Sequence, residues 1–214
     1  MAKIENFIFD IDGTLIDTID MYMPAMIETL AKYGRPVAPD KVEQTKHELF
    51  GITGQDALRI AGISEEKIPE IQKDWFNLAY ERADRAKVIP GIPEMLAELA
   101  RRPDTKMAIA TSKQADEYQE YFVNHYDFAK FFQVAITSAD TKKHKPEPEP
   151  ILAAMDKMGA DPATTVYVGD TINDLKAAHA AGVKFAGALY GSANPETIKD
   201  ADFPLTKPAD LLKI

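Results

Sequence analysis

The chain has 214 residues, of which 45% are hydrophobic and 28% charged, a composition typical of one large globular domain or of a domain with a sizeable insertion. Its net charge of −9 disfavours nucleic acids and anionic membranes as partners, because like charges repel. The absence of cysteine excludes disulfides, thiolate metal sites and a cysteine nucleophile.

The first predicted element is a buried strand, Phe7–Phe9, which runs straight into the acidic turn Asp10-Ile11-Asp12-Gly13-Thr14. A strand that ends in this way places two carboxylates at the tip of a sheet, on a turn tight enough to need glycine. One carboxylate suits a nucleophile or metal ligand, and the other an acid or base. An ordinary acidic turn is the alternative interpretation. A calcium loop of the EF-hand type is disfavoured, because Gly13 comes too early and no Glu stands at the closing position.

Residues 17–88 contain no convincing strand and are predicted to form an inserted, all-helical cap domain. Residues 1–16 and 89–214 are then the core domain. Two amphipathic helices are predicted in the cap, one from Met21, Met26, Ile27 and Leu30, and one from Ile68, Ile71, Trp75, Leu78 and Ala79. We interpret these positions as packing faces rather than as a ligand site.

After the cap, short apolar runs alternate with helix-like segments, which indicates an α/β fold with a doubly wound parallel sheet and a Rossmann-like core. The predicted strands are Phe7–Phe9, Met107–Ala110, Val134–Ile136, Val166–Val168 and Val183–Ala186. The predicted helices are Glu94–Arg101, Gln114–His125, Pro150–Met158 and Ile172–Ala181, with Gly159 and Gly182 at C-terminal caps.

Polar residues follow three of these apolar runs: Asp10 the first, Thr111-Ser112 the second and Gly169-Asp170 the fourth. The carboxyl ends of parallel strands lie along one edge of a sheet, so these groups are expected to converge. Taken singly, Thr111 is a turn residue and Asp170 a helix N-cap. Asp174 lies four residues after Asp170, on the same face of a helix that starts there.

Four carboxylates at one edge would repel each other, and a hard divalent cation relieves that repulsion. Oxygen ligands favour Mg²⁺ over zinc. None of the four histidines (His47, His125, His144 and His179) forms a metal-ligand pair. An anionic substrate accounts for a strand-tip hydroxyl, Thr111, and for Lys145 before a proline, because both suit its oxygens.

These residues resemble the haloacid dehalogenase-like hydrolases, in the phosphatase branch that carries a helical cap after the first strand. The resemblance spans nearly the whole chain and is closest to phosphoglycolate phosphatase-like and pyrophosphatase-like members. The four matching motifs are, in order, Asp10-Ile11-Asp12-Gly13-Thr14, Thr111, Lys145-Pro146 and Gly169-Asp170-Thr171-Ile172-Asn173-Asp174. In the cap, Gly51–Asp56 occupies the place of the family's specificity loop, which implies substrate binding by Thr53 and Gln55.

The resemblance implies that Asp10 attacks phosphorus to form an aspartyl-phosphate, and that Asp12 protonates the leaving oxygen and then activates water. It implies Mg²⁺ on the Asp10 carboxylate, the Asp12 backbone carbonyl and Asp170, with Asp174 holding Asp170 or a bound water. The phosphoryl oxygens are then held by Thr111, Ser112 and Lys145.

We therefore expect a cytoplasmic, Mg²⁺-dependent phosphatase, monomeric or homodimeric, without a signal peptide, membrane span or nucleic-acid partner. Its substrate would be a small phosphorylated metabolite, either a phosphate monoester (phosphoglycolate-like or a sugar phosphate) or pyrophosphate. A phosphomutase of the same family and an inactive Mg²⁺- or phosphate-binding module are the alternatives. Alanine at Lys145 or Asp170 is expected to cost activity without unfolding the chain.

Overall fold

The computed structural model describes residues 3–214, which divide into two compact units. One comprises residues 3–15 together with Val88–Ile214, and the other is Ile16–Lys87. In this described part of the chain, no helix is long and apolar enough to cross a membrane.

The larger unit is built on a six-stranded parallel sheet with the strand order β5-β4-β1-β6-β7-β8. The strands of the chain are β1 (Asn6–Phe9), β2 (Ile16–Asp17), β3 (Lys87–Val88), β4 (Lys106–Ala110), β5 (Val134–Ile136), β6 (Thr165–Gly169), β7 (Lys184–Ala188) and β8 (Phe203–Leu205). In register, Phe9 lies opposite Ile109 of β4 and Val168 of β6. The carboxyl ends of β1, β4 and β6 therefore meet at one edge.

Helices cover both faces of this sheet, because its strands are apolar on both sides. The helices of the chain are α1 (Ile19–Lys32), α2 (Val42–Leu49), α3 (Gly54–Ile60), α4 (Ile68–Tyr80), α5 (Ile92–Ala100), α6 (Ala115–Tyr118), α7 (Glu149–Met158) and α8 (Ile172–Ala180). Ile8 and Tyr167 are fully buried in a cluster with Ile151 of α7 and Ala177 of α8. The ring of Phe9 contacts Phe132, with ring centroids 5.8 Å apart.

The expected α/β class with a doubly wound parallel sheet is confirmed, and in the larger unit two elements, β8 and α6, differ from the prediction. Strand β8 was not predicted, since it is three residues long and carries Pro204, which only an edge strand tolerates. The predicted helix over Gln114–His125 is present but is not α-helical throughout, because α6 ends at Tyr118 and a π-helical turn follows over Gln119–Val123. That turn places Phe122 in the core, with its ring 5.9 Å from those of Phe128 and Phe132.

The smaller unit is helical, as its apolar spacing predicted, and α1 packs against α4. Met21, Met26 and Leu30 are buried on α1, as are Ile68, Ile71, Trp75 and Ala79 on α4, while Ile27 and Leu78 are half-buried. The Trp75 indole donates a hydrogen bond to the Tyr22 carbonyl at 2.8 Å. The expectation that 17–88 contains no strand needs correction at its ends, where β2 and β3 form a two-stranded sheet.

Candidate active site

The turn after β1 carries Asp10 and Asp12 at the strand-end edge of the sheet. The Asp10 N–H donates to the Val168 carbonyl at 2.9 Å, so Asp10 is fixed to the neighbouring strand. Gly13 completes the turn at φ 71°, a conformation that favours glycine. Asp10 is buried and Asp12 half-buried, which makes this more than an ordinary solvated turn.

Gly13 also lets a second acidic segment approach the turn. A Cβ atom at this position would lie 2.2 Å from an oxygen of Asp170, so any other residue would collide with that carboxylate. The Thr14 hydroxyl donates to Asp170 Oδ1 at 3.2 Å. Gly13 and Thr14 therefore both help to position Asp170 against the acidic turn after β1.

The start of α8 holds Asp174 rather than Asp170 in a capping arrangement, so the interpretation of Asp170 as a helix N-cap is wrong. The N-cap is Thr171, whose hydroxyl accepts from the Asp174 N–H, while Asp174 Oδ2 accepts from the Thr171 N–H at 3.0 Å and from its hydroxyl at 2.6 Å. This capping box leaves the Asp170 side chain free to point at the acidic turn Asp10–Thr14.

Lys145 brings the two acidic segments together through one buried ammonium group. Its Nζ lies 3.0 Å from Asp10 Oδ2, 2.8 Å from Asp174 Oδ1 and 2.9 Å from the Tyr167 hydroxyl. The side chain is only 6% exposed. Both carboxylate oxygens of Asp174 are therefore engaged, Oδ2 by two donors of Thr171 and Oδ1 by Lys145, with the Tyr167 hydroxyl 3.1 Å from Oδ1. This favours a positioning role for Asp174 over direct metal ligation.

Thr111 and Ser112 follow β4 and differ in burial. The Thr111 N–H donates to the Ile136 carbonyl at 3.0 Å, and the side chain is buried. Its hydroxyl oxygen accepts from the Lys113 N–H at 3.3 Å, which leaves the hydroxyl proton to be donated elsewhere. Ser112 is exposed.

The electrostatics of the cluster show a shortage of positive charge. Burial raises the pKa of Asp10 to about 6; the charges of Asp174 and Asp12 add to this rise, and that of Lys145 opposes it. Burial, with the charges of Asp174 and Asp10, raises the pKa of Asp170 well above its ordinary value. Atoms of Asp10, Asp170 and Asp174 lie within 4.8 Å of one another, a spacing that could hold a metal ion.

Four buried side-chain oxygens have no hydrogen-bond partner among the described residues. Two of them lie outside the site, Thr18 Oγ1 and Glu149 Oε2, and the other two belong to the acidic turn, Asp10 Oδ1 and Asp12 Oδ1. A buried acceptor without a partner costs about 1–3 kcal/mol, so such atoms are rare outside functional sites. Both oxygens belong to the side chains to which the motif assigns chemistry.

Sequence reasoning missed Lys113 and Tyr167. Lys113 Nζ lies 3.0 Å from Asp12 Oδ2, and the Tyr167 hydroxyl contacts both Lys145 and Asp174. A signal for Tyr167 was present, since a tyrosine inside a fully buried strand needs a partner for its hydroxyl. No comparable signal marked Lys113, which was one lysine among many.

The cap residues Thr53 and Gln55 belong to the helical unit. Thr53 is the N-cap of α3, and its hydroxyl donates to the Asp56 carboxylate at 2.7 Å and accepts from the Asp56 N–H at 3.2 Å. Gln55 is exposed in the first turn of that helix. Thr53 thus has a structural function of its own, and substrate binding by Thr53 and Gln55 remains a prediction.

Asp170→Asn should stabilise the metal-free protein at neutral pH. Folding raises the pKa of Asp170, so ionisation of this carboxyl opposes folding. Below the unfolded-state pKa the carboxyl is neutral in both states and costs no stability. As pH rises from the unfolded-state pKa to the folded-state pKa, the cost grows. The amide carries no charge to desolvate. In EDTA at pH 7.5 the variant should have the higher Tm, by roughly 2–4 °C for each kcal/mol relieved.

Thermal unfolding at pH 7.5 and pH 4.5 tests this expectation, since the difference should nearly vanish at the lower pH. Asp156→Asn on the exposed face of α7 is the matched control and should change Tm little at either pH. A lower Tm for Asp170→Asn in EDTA at pH 7.5 would contradict the inference that the negative charge of Asp170 destabilises the metal-free protein.

Comparison with known proteins gives a consistent picture. Residues 7–188 match the family model described as haloacid dehalogenase-like hydrolase. The pyrophosphatase PpaX of Bacillus velezensis is 28% identical over 99% of this chain and 96% of its own length. Phosphoglycolate phosphatase 1 of Pseudomonas aeruginosa is 31% identical over 86% of this chain and 68% of its own. A Lactobacillus plantarum crystal structure, provisionally described as a phosphoglycolate phosphatase, superposes with a TM-score of 0.88 at 29% identity and covers 99% of both chains.

Proposed function

The chain belongs to the haloacid dehalogenase-like hydrolases and is a phosphatase, and on that basis we propose that it hydrolyses a small phosphorylated metabolite with Mg²⁺, through an aspartyl-phosphate on Asp10. The substrate class is a phosphate monoester, phosphoglycolate-like or a sugar phosphate, or else pyrophosphate. Relatives named for pyrophosphate and for phosphoglycolate support this range.

The observation that carries the proposal is the pair of buried, unpartnered oxygens on Asp10 and Asp12. Transfer of a phosphoryl group needs a nucleophile and an acid or base on either side of it. The Asp10 oxygen supplies the first, and the Asp12 oxygen supplies the second. A substrate or ion that fills the site would remove the cost of leaving these acceptors unpaired.

The residues present fit Mg²⁺. Asp10, Asp170 and Asp174 form a cluster, and Asp12 lies beside Lys113. With all four carboxylates ionised, the two ammonium groups of Lys145 and Lys113 would leave an excess of two negative charges. One divalent cation balances this excess, and oxygen donors are those Mg²⁺ prefers. Asp10, Asp170 and the Asp12 backbone carbonyl would hold it, and when bound it would neutralise charge on the phosphoryl oxygens.

The first chemical step belongs to Asp10 and Asp12. An Asp10 carboxylate oxygen attacks phosphorus, the bond from phosphorus to the leaving oxygen breaks, and Asp12 donates a proton to that oxygen. In the second step Asp12 takes a proton from water, which attacks phosphorus and releases phosphate from Asp10. The same side chain thus acts as acid and then as base.

Thr111 and Lys145 hold the phosphoryl oxygens during both steps. The Thr111 hydroxyl proton is available for donation, because its oxygen already accepts from the Lys113 N–H. Lys145 Nζ lies beside the nucleophile, at 3.0 Å from Asp10 Oδ2, and supplies positive charge where the transferred group arrives. Phosphoryl transfer depends mainly on positioning and charge neutralisation, which these two residues provide.

The proposal is tested by measuring phosphate release from phosphoglycolate, pyrophosphate and glucose 6-phosphate with MgCl₂ or with EDTA. We expect turnover of at least one substrate with MgCl₂ and a loss of roughly 10²-fold or more in EDTA, because unbalanced carboxylates repel the substrate. Excess MgCl₂ added after EDTA is the control and should restore activity. Full activity in metal-free buffer would exclude the metal, and no turnover of any of the three substrates would exclude the proposed substrate range.

A further inference from the structure

A second buried lysine, Lys113, lies beside the acid or base of the site. Its Nζ is 3.0 Å from Asp12 Oδ2, and its side chain is only 6% exposed. A lysine that is buried to this extent is rare unless it is paired or functional. The two reaction steps described above assign it no part.

The backbone of Lys113 is held on both sides, so the position of its side chain is set in advance. Its N–H donates to the Thr111 hydroxyl at 3.3 Å. Its carbonyl accepts from the Ser138 N–H at 2.9 Å and from the Ser138 hydroxyl at 3.1 Å. Such a fixed backbone is typical of residues that bind a ligand with little reorganisation.

The two buried lysines pair with different aspartates of the acidic turn. Lys145 contacts Asp10, on the side where the phosphoryl group is attacked, and Lys113 contacts Asp12, on the side where the leaving group departs. Asp12 Oδ2 faces Lys113, while Asp12 Oδ1 is the unpartnered oxygen suited to the leaving oxygen. The Lys113 charge therefore lies next to the group that leaves.

Tyr126 borders the same region. Its side chain is half-buried and its ring stacks on Phe128, with centroids 5.3 Å apart and planes at 13°. Burial raises the pKa of the Tyr126 hydroxyl, the charge of Lys113 opposes this rise, and the charge of Asp12 adds to it.

We propose that Lys113 selects substrates whose leaving group bears its own negative charge, such as pyrophosphate or a phosphorylated hydroxy acid, over phosphates of neutral alcohols. The inference rests on the proposed function and narrows its substrate class. When the bond from phosphorus breaks, its electron pair goes to the leaving oxygen and the proton comes from Asp12. The Lys113 ammonium stabilises the anionic group without bonding covalently to it.

The test compares two substrates that differ at one group, phosphoglycolate and 2-hydroxyethyl phosphate, with pyrophosphate as a third. Wild-type enzyme should have the higher kcat/KM for phosphoglycolate. Lys113→Gln should lose about 10- to 100-fold on phosphoglycolate and pyrophosphate, the size expected for one charge-assisted contact, and less than about 3-fold on 2-hydroxyethyl phosphate. Lys113→Arg should keep the preference, since it keeps the charge.

Lys143→Gln is the matched control, because Lys143 is an exposed lysine of the loop before Lys145, and it should change no ratio. An equal loss on all three substrates in Lys113→Gln would overturn the inference and leave Lys113 as a positioning residue for Asp12. Equal wild-type kcat/KM for phosphoglycolate and 2-hydroxyethyl phosphate would overturn it without any variant. No hydrolysis of any substrate would overturn the proposed function and this inference together.

Discussion

Asp10→Asn should abolish turnover, with a loss of roughly 10⁴-fold or more, because an amide cannot replace a carboxylate as nucleophile. The substitution is nearly isosteric and keeps the backbone hydrogen bond to Val168, so the fold should be retained. Burial raises the pKa of Asp10 to about 6, so its negative charge at pH 7.5 opposes folding of the metal-free protein. Removing this charge should therefore not destabilise the variant. Steady-state hydrolysis, together with acid trapping of the phosphoenzyme, checks both parts.

The matched control is again Asp156→Asn, an exposed aspartate on α7 that should leave turnover unchanged. Asp12→Asn separates the two aspartates, because it should slow turnover by about 10²–10⁴-fold while Asp10 remains able to accept phosphate. Wild-type turnover in Asp10→Asn, or a phosphoenzyme that persists in it, would exclude covalent catalysis through this residue.

Lys145→Met should damage both activity and stability, in contrast to the expectation that substitution here would spare the fold. Lys145 is buried between two carboxylates, so removing it leaves Asp10 and Asp174 as uncompensated buried charges. Breaking such a pair typically costs about 3–5 kcal/mol, or roughly 10 °C in Tm for a chain of this length. Turnover should fall together with the loss of charge at the phosphoryl group.

The stability cost of Lys145→Met should depend on pH. Burial opposes the charged form of Lys145, but the charges of Asp10 and Asp174 outweigh it and raise its pKa well above the ordinary value. The wild-type ammonium is therefore charged throughout, while Asp10 gains its charge as pH rises through about 6. The Tm difference from wild type should grow between pH 5 and pH 8. Lys143→Met, at an exposed lysine, should differ from wild type by less than about 0.5 kcal/mol at each pH.

Much of the fold followed from patterns in the chain, because each central strand is an unbroken apolar run between polar turns. The convergence of Asp10, Thr111 and Asp170 followed from parallel topology alone, since strand ends share an edge. Periodicity could not reveal the π-helical turn over Gln119–Val123, because one extra residue per turn depends on where Phe122 finds space in the core.

The hydrogen-bond and ion-pair partners of individual side chains could not be predicted from the sequence. Asp170 and Asp174 look equivalent in the sequence, as two acids one helical turn apart. In the structure Asp170 points at the acidic turn after β1, whereas Asp174 is engaged by Thr171 and Lys145. Lys113 and Lys143 are likewise indistinguishable as lysines in the sequence. In the structure Lys113 is buried beside Asp12, whereas Lys143 is exposed to solvent. Such differences arise from tertiary packing, which local patterns do not encode.

The Tyr167 hydroxyl joins the site to the sheet. It accepts from Lys145, and its oxygen lies 3.1 Å from two acceptors that compete for its single proton. These are Asp174 Oδ1 and the carbonyl of Ala110, the last residue of β4, two strands away from β6. The ion pairs around the nucleophile thus share a hydrogen bond with the backbone that holds the strands together. We therefore expect that a local loosening of the β4 end would also disturb the geometry of the ion pairs at the site.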